Sequence, residues 1–202
     1  MSRIACALIA VLAGALTALG PADAGVRQTT STRGYAVSGN TGAELLRSMD
    51  RNGPRHGFLT RAIAQTKYTV TWSFDVGERG GMCRLRRADA RLSITFIYPE
   101  ASDPLPPAVE SRWRTFLAGA RRHEETHARL AREMVDAAER AVRGLSLPVD
   151  RGCTAARREI KARVDRVIAG YEARQLAFDA REHAEGGRVE RLIEALARGD
   201  GR

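Results

Sequence analysis

The arrangement of apolar and polar residues predicts strands in the first half of the chain and long helices in the second. Tyr68 to Val76 alternates apolar and polar side chains, Met82 to Arg87 is a further strand candidate, and Ala90 to Tyr98 alternates again. Alternation with a period of two indicates half-buried strands. Gly77 to Gly81, between the first two segments, is a predicted turn. These residues together predict a small antiparallel sheet.

The residues before this sheet predict a short strand and a capped helix. The strand is predicted at Tyr35-Ala36-Val37, after a polar segment, Gln28 to Arg33, that we expect to be frayed. Thr41 is a candidate N-cap for a helix that runs to about Arg51. Glu44, three residues after this cap, completes the pattern of a capping box.

Beyond a proline-rich loop at Pro99 to Pro107, the repeat becomes helical. From Ala108 to Leu145 apolar residues recur every three or four positions and form one continuous stripe. A second long helix is predicted after a cap at Thr154, with apolar positions that extend to Leu176, and a short last helix spans Arg188 to Leu196. The combined pattern predicts an α+β fold, in which the small antiparallel sheet packs on long helices.

Residues 1–24 have the pattern of a signal peptide. Arg3 provides a positive charge, Ile4 to Leu19 is apolar, and Ala22-Asp23-Ala24 is similar to a cleavage site. The apolar stretch is short for a membrane span, although an uncleaved anchor is the alternative, and no later segment is apolar enough to span. We therefore expect an exported protein, periplasmic or secreted, with residues 25–202 as a single domain.

The formal charge of +9 at pH 7 comes mostly from arginine, because Lys67 and Lys161 are the only lysines. Such a protein is expected to be attracted to anionic partners, including an anionic surface of the cell envelope. Nucleic acid is not an expected partner, since the chain carries an export signal and has no basic tract with interleaved aromatic residues.

Cys83 and Cys153 are the only cysteines outside the predicted signal peptide. Export implies an oxidising compartment, in which two cysteines allow one pairing. A disulfide between them would connect the strand region to the start of the second long helix, and closure of such a loop is worth about 4 kcal/mol. The rival interpretation is a cysteine metal ligand, but neither cysteine has a neighbour at the spacing of a zinc site.

An H-E-x-x-H motif lies inside the first long helical stripe, at His123, Glu124 and His127. Residues four apart on a helix share one face, so the two imidazoles can bind one Zn²⁺ per chain. The adjacent Glu124 is then placed to act as a general base toward water at the metal. The alternative is that both histidines are core residues whose ring nitrogens are satisfied by hydrogen bonds.

A catalytic zinc site needs three protein ligands and one open position, so a third ligand must come from elsewhere in the chain. Asp179 and His183 are candidates, four residues apart near the end of the second long helix. We favour His183 as the ligand, because imidazole is the commoner zinc ligand, with Asp179 orienting a ligand ring. The reverse assignment is also chemically sound, and both residues could instead be exposed at the helix end. Tyr171 is most simply a core residue, although a tyrosine near zinc could stabilise an oxyanion.

These motifs resemble those of domain of unknown function 922 (DUF922), a family of exported bacterial proteins predicted to be secreted zinc-dependent proteases. The resemblance covers nearly all of residues 25–202. It is carried by the following segments: Tyr35 to Gly39, Met49 to Pro54, Thr66 to Phe74, Cys83, Trp113 to Phe116, His123 to His127, Cys153, and Phe178-Asp179 onward.

The resemblance implies roles for several of these residues. It implies that His123 and His127 are zinc ligands, that Glu124 is the general base and that Cys83 and Cys153 form a disulfide. The end of the second long helix departs from the family pattern, in which a Tyr-Asp pair is followed by Thr-x-His-Gly. Here Phe178-Asp179 matches the pair, but His183 falls one position early.

The sequence therefore predicts an exported zinc metallopeptidase with a zincin-like helix that carries the H-E-x-x-H motif. Glu124 would assist the attack of water on a peptide bond of a protein or peptide substrate. The alternative is a non-catalytic binding protein of the cell envelope, with a structural or vestigial zinc site. Glu124 discriminates between the two, because only an enzyme needs it beside an open metal position.

Overall fold

The computed structural model describes residues 25–56 and 60–198, so the predicted signal peptide lies outside the described residues. The elements in chain order are strand β1 (Val26–Val37), helix α1 (Gly42–Asn52), strands β2 (Arg55–His56), β3 (Thr60–Arg61), β4 (Gln65–Arg79) and β5 (Met82–Ala101), helix α2 (Pro107–Val142), strand β6 (Ser146–Pro148), a 3₁₀ turn (Arg151–Cys153), and helices α3 (Thr154–Glu182) and α4 (Arg188–Ala197). Within the described ranges, no helix is both long and apolar enough to cross a membrane.

The main sheet has the strand order β1-β5-β4, and the short strand β6 pairs with the start of β5. Strands β4 and β5 form an antiparallel hairpin. Its turn is made by Gly80 and Gly81, whose φ angles of 60° and 71° lie in the left-handed region that favours glycine. The predicted α+β class is thus confirmed, and most of the sheet is antiparallel as expected.

Strand β1 departs from the prediction in its length and its direction. It begins at Val26, so the segment Gln28 to Arg33 that was expected to be frayed is part of the strand. It runs parallel to β5, from the pair Val26 and Ala90 to the pair Val37 and Ala101. The sequence did not indicate a strand here because most of its side chains are exposed, and its order comes from main-chain pairing with β5.

Strand β5 is a single strand where the pattern predicted two. It runs continuously from Met82 to Ala101, and the register with β4 shifts between Asp75 and Val76. The shift leaves Arg86 as an extra residue of β5 and moves the side chains that follow to the opposite face, so it interrupts the alternation inside the first of the two predicted strands.

The core lies between the inner face of the sheet and helix α2. Buried side chains of β5 pack against buried side chains of the second half of α2; the principal members are Leu92, Ile94, Phe96, Ala128, Ala131, Met134 and Val135. Each large apolar side chain buried in this way stabilises the fold by roughly 1.5–3 kcal/mol. The second half of helix α2 is therefore held across the sheet.

A disulfide joins Cys83 to Cys153, as predicted, with the two Cα atoms 5.5 Å apart. Both cysteines are buried in the cluster where the start of β5, the end of α2 and the start of α3 meet. The bond therefore ties the start of α3 to the sheet.

The helix ends partly match the predicted caps. The hydroxyl of Thr41 accepts from the backbone N–H of Glu44 at 3.2 Å, and the Glu44 carboxylate accepts from the N–H of Asn40 at 2.7 Å. Thr154, by contrast, is the first residue of α3 and does not cap it. The carboxylate of Asp150 accepts from the N–H of Ala155 at 3.0 Å instead, because the intervening 3₁₀ turn brings Asp150 to the helix end.

Helix α4 packs closely on α1 and α2 through two glycines. A Cβ atom at Gly119 would lie 2.3 Å from Cδ1 of Leu192, and one at Gly42 would lie 1.9 Å from the carbonyl oxygen of Leu196. Leu196 is only 1% exposed. Contacts this close allow no other residue at either glycine without movement, so the position of α4 against the first half of α2 is well determined.

Candidate metal centre and cleft

Helix α2 places the H-E-x-x-H motif in the interior. The helix is continuous through the motif, and its apolar stripe turns His123 and Glu124 toward the interior, where they are 8% and 5% exposed. Helix α3 passes the same face of α2, and its last turns carry Asp179 next to the two histidines. The site is therefore formed where the middle of α2 meets the end of α3.

Three donor atoms converge in this region. Oδ1 of Asp179 lies 2.9 Å from Nε2 of His127 and 3.2 Å from Nε2 of His123. The two Nε2 atoms are 3.1 Å apart. Ligands at about 2.0–2.1 Å from a tetrahedral zinc are separated from each other by about 3.3 Å, so these separations suit three ligands of one ion.

His183, the predicted third ligand, lies beside the same three atoms. Its ring centroid is 5.5 Å from that of His123. Ligand atoms of His123, Asp179 and His183 all lie within 4.8 Å of one another, so this set could hold a metal ion. His183 directly follows the last residue of α3 and is exposed, whereas Asp179 is half-buried. The structure thus brings both candidates for the third ligand to the motif.

A glutamine that the sequence analysis did not single out orients His127. The side-chain oxygen of Gln175 accepts a hydrogen bond from Nδ1 of His127, so that Nε2 of the same ring is directed toward Asp179. The amide nitrogen of Gln175 also donates to the carbonyl oxygen of His127 at 3.1 Å. Metal-binding histidines are commonly held in this way by their second nitrogen. The position of Gln175 one helical turn before Asp179 is the feature of the sequence that could have identified it as a site residue.

Thr66, on strand β4, contacts the predicted general base. Its hydroxyl lies 2.7 Å from Oε2 of Glu124 and 3.0 Å from the carbonyl oxygen of the same residue. Burial raises the pKa of the Glu124 carboxyl, and the hydrogen bond from Thr66 only partly offsets this effect. A raised pKa suits a carboxylate that must take up a proton near neutral pH. Thr66 lies on the same face of β4 as Tyr68 and Val70. A polar residue on this otherwise apolar face is the feature of the sequence that could have identified Thr66 as a site residue.

The pKa shifts of Asp179, His127 and His183 reflect burial and the contacts among these residues and His123. Burial would raise the pKa of Asp179, but hydrogen bonds with His123 and His127 outweigh it and hold that pKa well below its usual range. Burial would lower the pKa of His127, but its hydrogen bonds with Asp179 and Gln175 raise it. Burial, together with the nearby His123, lowers the pKa of His183. In the absence of a metal, Asp179 is thus a charged partner for the two motif histidines.

Aromatic residues complete the surroundings. Phe178 stacks on His123, with ring centroids 4.8 Å apart, and its ring also lies 5.1 Å from that of His127. Tyr171 packs against the core between the sheet and α2, with the Arg174 guanidinium 4.4 Å from its ring centroid. Tyr171 is not among the described residues that line the cleft.

The donor atoms open into a cleft of about 730 Å³, within the range expected of ligand-binding sites. Its walls come from α2, α3, α4 and the segment that leads into β4. One part is polar and contains the donor residues; its members include Thr66, Tyr68, His123, Glu124, His127, Gln175, Asp179 and His183. The other part is apolar and is lined mainly by Ile63, Phe116, Ala120, Val189, Leu192 and Ile193.

Comparison with known proteins places the chain in a family. No curated protein and no solved structure matches it. A family model described as "Bacterial protein of unknown function (DUF922)" matches residues 32–187. The matched span contains the H-E-x-x-H motif, both cysteines, and the part of α3 that carries Gln175 and Asp179. Because the match extends over well more than half of the sequence, the chain belongs to the DUF922 family of bacterial proteins.

Proposed function

We propose that this protein is an exported zinc-dependent metallopeptidase with a single zinc ion. The observation that carries the proposal is the triangle of Nε2 of His123, Nε2 of His127 and Oδ1 of Asp179, whose sides measure 2.9–3.2 Å. A buried carboxylate, Glu124, lies beside this triangle on the same helix and opens into the same cleft. Two histidines and one carboxylate form a ligand set used by catalytic zinc sites.

We assign the third ligand to Asp179 in place of His183, which the sequence analysis favoured. Oδ1 of Asp179 lies within 3.2 Å of both motif histidines. His183 is exposed and sits beyond the end of α3, next to His123. A carboxylate that already contacts both imidazoles needs no rearrangement to share an ion with them. His183 would then remain a cleft residue beside His123 that does not hold the metal.

Zinc bound here would lower the pKa of water and polarise the carbonyl of a peptide bond. The protein side chains then have distinct tasks. Glu124 would accept a proton from the attacking water and deliver it to the leaving amine, for which its raised pKa suits it. Thr66 would hold the Glu124 carboxylate in place, and Gln175 would fix the ring of His127.

Substitution of Glu124 tests this function most directly. The purified protein should bind about one zinc and cleave unstructured protein substrates. Glu124→Gln should retain the metal, because Glu124 is not a ligand, and should lose nearly all cleavage, since removal of a general base costs about 10²–10⁴-fold. Thr126→Val, a substitution of similar size at a half-buried position of the same motif that does not line the cleft, serves as the control and should retain activity. A Glu124→Gln protein that cleaves like the wild type would refute the proposal.

The second candidate is a non-catalytic binding protein of the cell envelope with a structural zinc site. His183 favours it, because it belongs to the set of residues that could hold a metal and could close the fourth position. The net charge of +9 would then attract the protein to an anionic surface of the cell envelope. Under this candidate the protein would bind zinc, would cleave no substrate, and would lose its metal when His183 is replaced.

A further inference from the structure

Helix α4 forms one wall of the apolar part of the cleft. Val189, Leu192 and Ile193 of this helix line the cleft together with Phe116 and Ala120 of α2. The three α4 side chains are half-buried, so they contact the fold on one side and the cleft on the other. Helix α4 begins at Arg188, one residue beyond the span matched by the family model. This wall is therefore a feature of the present chain that the family match does not describe.

The wall is preformed. Leu192 packs directly over Gly119, where a Cβ would lie 2.3 Å from Cδ1 of the leucine, and Leu196 of the same helix is almost fully buried. A wall anchored by these two contacts needs little ordering when a ligand binds. Preformed apolar surface of this kind contributes to affinity because less conformational entropy is lost on binding.

The apolar part of the cleft adjoins the donor atoms along α2. Phe116, Ala120 and His123 follow one another at helical spacing and lie on one face of the helix. With a rise of about 1.5 Å per residue, Ala120 is about 4.5 Å and Phe116 about 10 Å along the axis from His123. Consecutive residues of an extended peptide are about 3.3–3.6 Å apart. A peptide with one carbonyl at the donor atoms would thus place a side chain one to three residues away in the apolar part.

We propose that this apolar part is a specificity subsite that selects peptides with a large apolar side chain close to the bond that is cleaved. The proposal rests on the proposed peptidase function and names the substrate class of that site. Val189, Leu192 and Ile193 determine the specificity, while the residues around the donor atoms carry out the chemistry. A polar side chain would lose its hydration against these apolar residues, whereas a large apolar side chain would be favoured by burial there.

Binding of a peptide series separates this proposal from the peptidase activity. The probes are alanine heptapeptides with one Leu, Phe or Asn placed at each position in turn, so that the polar probe carries no side-chain charge. Their dissociation constants are measured with the zinc-loaded Glu124→Gln protein, which cannot consume them under the proposed function. We expect Leu or Phe at one position to bind at least about tenfold more tightly than Asn at that position. Cleavage of the same peptides by the zinc-loaded wild-type protein is measured separately.

A substitution at the start of α4 tests whether this helix is responsible for the preference. Val189→Asp, added to the Glu124→Gln protein, should abolish the preference for Leu and Phe. It should preserve the fold, because an acidic residue in the first turn of a helix is favourable, and a thermal melt checks this. Ala195→Asp on the same helix is the control, since Ala195 is exposed and does not line the cleft, and it should keep the preference.

The outcomes distinguish the two proposals. A Leu or Phe preference that disappears with Val189→Asp supports the subsite, even if the wild-type protein cleaves none of the peptides, in which case the peptidase function fails alone. Cleavage with no preference at any position overturns the subsite and leaves the peptidase function standing. Equal affinities for all peptides, or a preference that survives Val189→Asp in a folded protein, also overturn the subsite.

Discussion

Helices α2 and α3 supply the two halves of the candidate metal centre, but they are held in the fold very differently. Helix α2 has buried side chains along its whole length, from Val109 to Val142. Helix α3 is fully buried only at Ala156, Ile160 and Val164, in its first half. Leu176, which the sequence analysis placed on the apolar side of α3, is 71% exposed. The end of α3 is therefore positioned by a few polar and aromatic contacts to α2.

This difference shows how the site is assembled. The histidines of α2 are positioned by the core, whereas Gln175, Phe178 and Asp179 of α3 reach the site through their contacts with the histidine rings. Changes on α2 should therefore remove the site, and changes on α3 should reveal which contact matters most. The following predictions test this comparison.

The largest effect is expected from the α2 half of the site. Replacement of His123 and His127 together by alanine should abolish stoichiometric zinc binding, because two of the three proposed ligands are removed. Metal content of the purified protein, measured by atomic emission, checks the result. Replacement of the exposed Arg122 by alanine is the control and should leave the metal bound. Undiminished zinc in the double variant would show that the metal site lies elsewhere.

Substitutions in the α3 half of the site distinguish the two candidates for the third ligand. Asp179→Ala should release most of the zinc, because Oδ1 of Asp179 lies within 3.2 Å of both histidines. His183→Ala should retain the metal, since His183 is exposed and is not one of the three proposed ligands. Equilibrium dialysis against buffered zinc measures both variants side by side. Loss of metal with His183→Ala and retention with Asp179→Ala would reverse our assignment.

The disulfide should matter for the stability of α3, whose own buried surface is small. Replacement of Cys83 and Cys153 by alanine is expected to lower the free energy of unfolding by about 4 kcal/mol, the value for loss of a closed loop of this length. Urea unfolding of the oxidised wild type and the variant checks this difference. Reduced wild-type protein should resemble the variant, and equal stability of all three would contradict the prediction.

Gln175 should have a smaller effect on the metal than any ligand. Gln175→Ala removes the hydrogen bond to Nδ1 of His127 and should weaken zinc affinity about 10–100-fold, with the site still filled at high zinc concentration. Competition with a chromogenic chelator measures this affinity. Leu176→Ala, the adjacent and exposed position on α3, is the matched control and should not change it. A Gln175→Ala protein with wild-type affinity would exclude an orienting role.

The smallest expected effect is a dependence of stability on pH in the metal-free protein. The folded-state pKa of Asp179 is lowered, so its contribution is present above about pH 4 and is lost as the pH falls. The folded-state pKa of His127 is raised, so its contribution is present below about pH 6.5 and is lost as the pH rises through that pKa. Asp179→Asn should thus lower the Tm most between about pH 4 and 6.5, and less at pH 8. Thermal melts in a chelator check this, and a pH-independent difference would contradict it.

Local patterns were sufficient to predict most of the helices and the central hairpin. The apolar stripe of α2 and the alternation of β4 correspond to elements in the structure, because each reflects which side chains one element buries. Strand β1 could not be predicted at its full length, since its side chains are mostly exposed and only pairing with β5 orders it. The parallel direction of this pair likewise depends on how the chain crosses the sheet, which no local pattern records.

The candidate site shows the same division. The sequence by itself determined that His123, Glu124 and His127 lie together on a helix, because a spacing of four residues sets their position within one element. It also predicted the disulfide, since Cys83 and Cys153 are the only cysteines outside the predicted signal peptide. Tertiary structure alone decided that Thr66 contacts Glu124, that Gln175 contacts His127 and that Asp179 lies between the histidines. These contacts join residues about fifty positions apart, and their distances depend on the packing of β4 and α3 against α2.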